Sequence, residues 1–371
     1  MTSYRYTFLS LRDEQIIEEI DLYGVYAQRI LCAPGQFNGT FQLDQGGKRN
    51  QDLIAATIPG KCWLVMEREG VPVWWGIVWS RTYQSQSKSA QLYAWGFEAF
   101  PQRQIMLTDF VRENIDQVQV FLDMWTDLQS SATGRNMNIN IPSTFPLSQT
   151  ISTNVLATDY KYYGDVMDSI ANASNGFDWT IEVTKYNNMY RKDLLVGYPI
   201  LGAGTSADSL VFEYPGPILN YYEAESMSEA GNYIWGFGAG EGASQLISIV
   251  KYDDMINDEG WPRWDMEVSL KDVDDQNILN GLTMQEGIKR KPPMNTYTVT
   301  VKGDVDPIFG SYAVGDNCTL YIKDPKHPDG FTVKTRIVGF ELTPQSADNS
   351  EEVSLILPGD DVAGKTPVAA Q

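Results

Sequence analysis

The polar and apolar positions of this chain change period along its length. In FNGTFQL, residues 37–43, Phe37, Phe41 and Leu43 fall on one side and Asn38, Thr40 and Gln42 on the other. A period of two predicts a half-buried strand. YRYTFLSL (4–11) and IIEEIDL (16–22) flank a polar RDEQ and predict a β-hairpin. More strands are expected near 62–68, 73–83 and 90–97, so the first hundred residues read as a small barrel or sandwich. The period then shifts. In IDQVQVFLDMWTDLQ, 115–129, Val118, Phe121, Leu122 and Trp125 stand at i, i+3, i+4 and i+7, one face of an amphipathic helix. Asp116 is its expected N-cap, with Gln119 at the capping-box position. MNINIP (137–142) alternates as a strand, and GDVMDSIANASNG predicts a short helix ending near Gly176. FDWTIEV (177–183) is expected to pair with LLVGY (194–198) through the YNNM turn. After about 205 the pattern is mostly β again. A helix is expected over 272–291, acids at its start and bases at its end, stopped by Pro292-Pro293 before the strand TYTVTV (296–301).

Residues 71–100 hold four tryptophans, two tyrosines and two phenylalanines around the polar tip QSQSKS. The same layout recurs near the C-terminus. Cys62 and Leu64 match Cys318 and Leu320, EREG matches KDPKHPDG, and Ile77-Val78 matches Ile337-Val338. The tip YQSQSKS matches PQSADNS. The offset drifts from 256 to about 261 residues, as loops of unequal length produce. Hairpins also resemble one another without common origin, so the residues leave both readings open. If the repeat is real, two related β-domains flank an α+β insertion, and the aromatics of 71–100 fill core and interface. A cyclic trimer would then present six modules in a pseudo-sixfold ring without free sheet edges. Trimerisation itself is not written in the residues.

At 371 residues the chain is long for one domain, and 43% hydrophobic residues allow large cores. Lys plus Arg is 28 and Asp plus Glu is 48, a net charge of −20. That is a poor footprint for gripping nucleic acid, and solubility is its plain use. Cys32, Cys62 and Cys318 are far apart, which argues against a disulfide framework or zinc site and for buried free thiols made in a reducing cytosol. The N-terminus has no Sec-type signal pattern and no apolar run reaches 18 residues, so no membrane insertion is expected.

Candidate chemistry is thin. Gly236, Gly238, Gly240 and Gly242 are spaced GxGxGxG, not GxGxxG. They read as a strand face stripped of side chains for a close neighbour. Asp272, Asp274 and Asp275 mark a helix start, since the glycine and bidentate Glu of a calcium loop are missing. KRK at 289–291 reads as the dipole partner at the helix end. The single histidine, His327, sits in the turn KDPKHPDG as a surface residue, which disfavours Ser-His-Asp, Cys-His and HExxH mechanisms. Paired carboxylates of a cell-wall hydrolase and aromatic platforms of a glycan-binding module remain as alternative functions. The expectation is no enzyme, no catalytic residue, no cofactor and no metal.

Several passages resemble the minor tail proteins of long, non-contractile-tailed bacteriophages. They are YRYTFLSLRDEQIIEEIDLYGVYAQRILCAPGQFNGTFQL, WWGIVWSRTYQSQSKSAQLYAWGFEAF, GDVMDSIANASNGFDWTIEV, GFGAGEGASQLI and GSYAVGDNCTLYI…TRIVGFEL. The similarity runs in order over nearly the whole chain and extends to baseplate hubs of contractile phages and secretion machines. It implies a mainly β fold with an α+β insertion, with two tube-like β-barrel domains. The implied domains are a first barrel (1–100), an inserted α+β domain (101–204) and a second barrel (205–371) carrying the helix near 272–291. It implies a structural tail-tip hub, a homotrimer that joins the distal tail protein ring to tip or fibre proteins. Further implications are contact with the tape-measure protein and passage of DNA through the lumen without specific binding. The location implied is the virion tail tip, after synthesis in the bacterial host cytoplasm. An acidic channel lining would give the net charge a use. The ending PGDDVAGKTPVAAQ implies a bare hub without a peptidoglycan hydrolase. The hairpin tips supply the expected ring or channel contacts: Gln84, Ser85, Gln86, Ser87 and Lys88 in the first, Gln345, Ser346, Asp348 and Asn349 in the second.

Overall fold

The computed structural model describes residues 2–44, 46–173, 175–187, 189–202, 207–228, 230–271, 273–292, 294–344 and 351–358. The first elements are β1 (Tyr4–Ser10), β2 (Ile16–Glu19), β3 (Tyr23–Ile30), β4 (Gln36–Gln42), α1 (Gly47–Ala56), β5 (Cys62–Arg68), β6 (Val71–Gln84) and β7 (Ser89–Trp95). The middle holds β8 (Phe110–Asp116), α2 (Gln117–Ser130), β9 (Ile139–Asn140), β10 (Thr150–Val155), α3 (Tyr163–Ala171), β11 (Asp178–Tyr186) and β12 (Met189–Gly197). Next come β13 (Val211–Tyr214), β14 (Ile218–Ser226), β15 (Tyr233–Phe237), β16 (Ile247–Lys251), α4 (Asp253–Asn257), β17 (Asp265–Ser269) and α5 (Gln276–Lys289). The chain closes with β18 (Met294–Lys302), β19 (Asn317–Ile322), β20 (Phe331–Arg336), β21 (Gly339–Thr343) and β22 (Glu352–Ile356). The fold is mainly β with α+β insertions, as the sequence implied.

Strands from both ends of the chain share one eleven-stranded sheet, in the order β14-β18-β22-β21-β3-β4-β7-β6-β5-β1-β2. Within it the run β3-β4-β7-β6 is repeated as β14-β18-β22-β21, all antiparallel. The hairpin β5–β6 has its counterpart in β19–β20. The register of β6 slips between Val78 and Ser80, and at the matching place β20 and β21 are separated by Ile337 and Val338. The two runs meet where β21 pairs antiparallel with β3, Gly339 opposite Ile30 and Leu342 opposite Ala27. The repeated Cys-x-Leu and Ile-Val residues therefore mark a repeated topology.

One core lies under this sheet and joins both ends. It contains Phe8, Phe37, Phe41, Leu64, Leu92, Val299, Leu320, Leu342, Val353 and Leu355. A second core lies between the other side of β5–β6 and the middle region, and holds Trp63, Val65, Trp75, Phe121, Trp125, Phe177 and Trp179. All seven residues of β5 are buried, because one side of the strand serves each core. This is why CWLVM, residues 62–66, is an unbroken apolar run where a half-exposed strand would alternate. Each such side chain, fully buried, contributes about 1.5–3 kcal/mol.

In the middle region α2 starts where Asp116 accepts from the backbone N–H groups of Val118 and Gln119. The capping box does not close, because the Gln119 amide donates to Asp123 instead. Val118, Phe121, Leu122 and Trp125 are buried as the helical period required. β11 and β12 form the expected hairpin, Trp179 opposite Val196. The strand expected over 137–142 shrinks to Ile139–Asn140, paired parallel to β12. Asn138 has a φ of +52°, and a left-handed residue cannot continue a strand.

The hairpin β14–β18 is split by residues 227–293, which carry β15–β17, α4 and α5. Gly236 faces α5 closely: a Cβ there would lie 1.9 Å from the Thr283 hydroxyl. Gly238 likewise lies under the Val273 carbonyl and Leu279. The stripped-face reading holds for these two. Gly240 and Gly242 lie beyond the strand at φ +96° and +56°, where their role is the turn. Asp275 caps α5, accepting from Asn277 and Ile278, and Arg290 pairs with Glu286 at the other end.

Candidate assembly and channel surfaces

The two repeated runs differ in what covers them. In the second, β21 is covered by β3 and its residues are buried or half-buried. In the first, the matching half of β6, residues 79–84, pairs with β7 on one side only. Trp79 and Ser80 there are exposed, and Tyr83 is 56% exposed. β3 is flanked on both sides, whereas its counterpart β14 ends the sheet. Leu219 is exposed on β14 and Tyr222 is 66% exposed. Among the described residues these two strand edges are therefore open, each the counterpart of an edge that is paired within the chain. Open edges with exposed aromatics invite another strand.

Register and burial divide the eight strands β14-β18-β22-β21-β3-β4-β7-β6 into two faces. One is the apolar core face. The other presents Asn220 and Tyr222, Thr298 and Thr300, Ser354, Thr343, Tyr26 and Gln28, Asn38 and Thr40, Gln91 and Tyr93, and Ser80 and Thr82. These are neutral amides, hydroxyls and phenols. The charged exceptions on this face, among the described residues, are Lys302, Glu341 and Glu352, while Arg29, Arg81, Glu223 and Glu225 of the same strands fall on the other face by register. Glu341 accepts from the Gln28 amide at 3.0 Å, and burial, with the Glu341 carboxylate second, pushes the Tyr26 phenol above its usual range. Thr300 and Ser354 hydroxyls lie 3.1 Å apart across the strands. The acids expected along a channel are not concentrated on this face.

Gln84 ends β6 and Ser85, Gln86, Ser87 and Lys88 form the exposed tip. Lys88 takes a φ of +50°, its carbonyl accepts from Leu43 N–H at 2.7 Å, and the Ser87 and Ser89 hydroxyls are 2.6 Å apart. The tip is thus an ordered turn at the sheet end opposite the β3–β4 turn. Gln345, Ser346, Asp348 and Asn349 lie outside the described residues.

Buried ion pairs, invisible to pattern reading, tie the parts together. Arg68 on β5 donates to Glu351 and to the carbonyls of Phe309 and Gly303, and the Tyr4 hydroxyl donates to Glu351 at 2.5 Å. Arg336, at the end of β20, reaches Asp178 of β11 at 2.6 Å, both side chains almost fully enclosed. Glu98, just after β7, accepts from Ile181 N–H and the Thr180 hydroxyl, and its burial raises its pKa. Only the run of apolar neighbours around each charge signals burial in the sequence. Charge type alone misleads there.

His327 is not the free surface residue expected. Its ring stacks on Phe331 and its Nε2 lies 3.1 Å from the Glu223 carboxylate. Cys62 and Cys318 are buried and free, and burial pushes both thiols up to about 12. Cys32 is half-buried, its sulfur accepting from Trp179 N–H. Among the described residues no cluster of three or more His, Cys, Asp or Glu is placed to hold a metal ion. No helix among them is long and apolar enough to cross a membrane.

No family model matches the sequence, and no curated protein matches it. Solved structures do. A tail protein from Neisseria meningitidis aligns at TM-score 0.62 and 11% identity, covering 96% of each chain. The 43 kDa tail protein of prophage MuSo2 from Shewanella oneidensis aligns at 0.62 and 11%, over 97% of this chain and 98% of that one. A type VI secretion component from E. coli, itself similar to the T4 bacteriophage tail proteins gp27 and gp5, aligns at 0.52 and 9% identity, over 94% and 76%. At such identities the likeness is one of backbone, and it runs from end to end: the chain has the fold of phage tail and baseplate-hub proteins.

Proposed function

We propose that this chain is a structural, non-enzymatic component of a bacteriophage tail tip, the hub of its baseplate. Three copies close into a ring, each giving two tube-like modules: residues 1–100 and 205–371, with 101–204 as the inserted domain. The observation that carries this reading is the unequal covering of equivalent strands. The junction β21–β3 inside one chain is the pattern for a junction between chains, β6 of one copy against β14 of the next. Repeated around an axis, that contact leaves neither edge open, which is what cyclic closure requires. The neutral face of the eight strands then lines the channel. Amides and hydroxyls offer DNA no counterions to release, so it passes without being held.

The ring's sixfold side meets the distal tail protein ring, its threefold character suits the tip or fibre proteins, and the tape-measure protein ends at its channel. The protein then belongs to a long-tailed virion, made in the host cytoplasm. The ordered tip Gln84–Lys88 is a ring or channel contact, and Gln345, Ser346, Asp348 and Asn349 are its counterparts. Native mass spectrometry of the purified chain tests the ring: the expected mass is that of three copies, and electron micrographs show six lobes. Tyr83→Lys with Tyr222→Lys puts like charges on both open edges and returns the protein to monomers. A wild-type monomer, or a trimer indifferent to both substitutions, ends this reading.

A further inference from the structure

The junction between β21 and β3 has a register, and that register can be carried onto the two open edges. Ile77-Val78 correspond to Ile337-Val338, and Trp79 is the additional residue at the slip in β6, so Ser80 and Arg81 correspond to Gly339 and Phe340. The ladders agree. Arg81 stands opposite Leu92 and Phe340 opposite Leu355; Leu92 in turn stands opposite Gly39, and Leu355 opposite Val299. Two residues back on those strands, Phe37 faces Ala27 and Tyr297 faces Glu223. Ala27 therefore corresponds to Glu223, Gln28 to Ala224 and Arg29 to Glu225. In the junction Phe340 lies opposite Arg29 and Glu341 opposite Gln28. The same register between copies sets Arg81 opposite Glu225 of the next chain, and Thr82 opposite its Ala224.

Charge differs in sign between these edges. From Val71 to Gly96 the sequence holds Arg81 and Lys88 and no acid; from Pro215 to Ser228 it holds Glu223 and Glu225 and no base. Arg81 is half-buried, and its Nη1 donates to the Ile54 carbonyl and the Thr57 hydroxyl, both at 2.6 Å. Among the described residues no carboxylate pairs with it. Its surroundings are cationic: α1, whose end it holds, carries two bases and one acid, and Arg103 lies 5.9 Å over the Trp79 ring. Across the proposed contact, Glu223 and Glu225 share the Lys326 ammonium at 2.7 and 2.9 Å. Glu223 also meets His327 and the Tyr297 hydroxyl, and Asp324 accepts from the Tyr221 hydroxyl. Counting the exposed Lys323 beside Asp324 and a neutral histidine, three carboxylates stand against two ammonium groups. The junction inside the chain has no such pair, since Phe340 is uncharged and Arg29 reaches Glu182 instead.

We propose that β6 and β14 of neighbouring copies pair in the register of β21 and β3, and that Arg81 against Glu225 selects the partner. Pairing β6 with a second β6 brings two guanidinium groups together, and pairing β14 with a second β14 crowds four carboxylates. Charge therefore opposes the twofold contacts that two open edges otherwise permit. The head-to-tail contact sets opposite charges face to face, and contacts of that kind close by rotation. The inference rests on the cyclic trimer proposed above and gives it a register and a selecting pair.

The test uses the full chain with Thr82→Cys and Ala224→Cys together, oxidised under mild conditions and run on a denaturing gel without reductant. A covalent trimer is expected from the double variant and monomers from either single variant. Thr82→Cys with Tyr222→Cys, two residues out of register, should cross-link about tenfold more slowly or not at all. Native mass spectrometry of the same samples separates the two ideas. A trimer that cross-links through position 222 as readily as through 224, or through neither, overturns the register and leaves the ring reading intact. A wild-type monomer overturns both. Glu225→Lys changes a half-exposed side chain and should raise the concentration needed for half-assembly by about tenfold or more. Adding Arg81→Glu should restore assembly. A trimer indifferent to Glu225→Lys, or a folded double variant that stays apart, overturns the selecting pair.

Discussion

The two repeated β-runs hold the middle region with different buried groups. The second run reaches it with Arg336 to Asp178, and the first with Arg29 to Glu182 and with the Glu98 carboxyl to the backbone of Ile181. At the position matching Arg336, next to the shared Ile-Val, the first run has Gly76. A Cβ there would lie 2.2 Å from the Trp95 carbonyl oxygen. One topology thus supports an extended buried arginine in one copy and no side chain at all in the other. Local environment, not the repeat, chooses the residue.

Breaking the second copy's hold should cost most. Arg336→Ala leaves Asp178 buried without its cation, and about 3–5 kcal/mol of stability should be lost in urea unfolding. Gly76→Ala tests the first copy at the matching place. The strand must shift away from Trp95, a loss of about 1–3 kcal/mol, and a neutral result would dissolve the contrast. Glu98→Gln should act in the opposite sense. A carboxyl whose pKa is raised by folding supports the fold at low pH and weakens it as pH rises through that raised value. The glutamine can still accept from Ile181, so the variant should melt higher than the parent at pH 7. The gap should close toward pH 4, and a gap constant with pH would show that the charge is not the cause. The smallest effects belong to the hairpin tip. Ser85→Ala and Gln86→Ala should change unfolding by less than about 0.5 kcal/mol, leaving any loss of ring formation attributable to contacts between chains.

Much of the first run is legible in the residues because its strands are half-buried and alternate. Phe37, Phe41 and their polar neighbours fall on opposite faces as read. α2 was equally plain, down to Asp116. The repeat was visible as Cys-x-Leu, Ile-Val and two pairs of turns; of these Cys62, Leu64, Val78, Cys318, Leu320 and Ile337 face the shared core, while Ile77 faces the second core. The pairing of β21 with β3 was not visible, because a pattern of burial says that a strand is covered and not by which strand. Nor was the neutral sheet face foreseen. Net charge is a property of the whole chain, and acids away from this face contribute to it, such as Asp253 and Asp254 in the first turn of α4 and Asp258 and Glu259 just after it.

The β21–β3 junction has a further meaning for assembly. Two modules joined by a peptide chain meet at a local concentration set by the tether, and that value does not fall when the protein is dilute. A ring of six separate modules would need every junction to form by encounter. In the proposed ring half of them would already be made when each chain folds, so closure would depend on the third power of concentration instead of the sixth. A particle that needed one such ring per tail would complete it even when few copies are made.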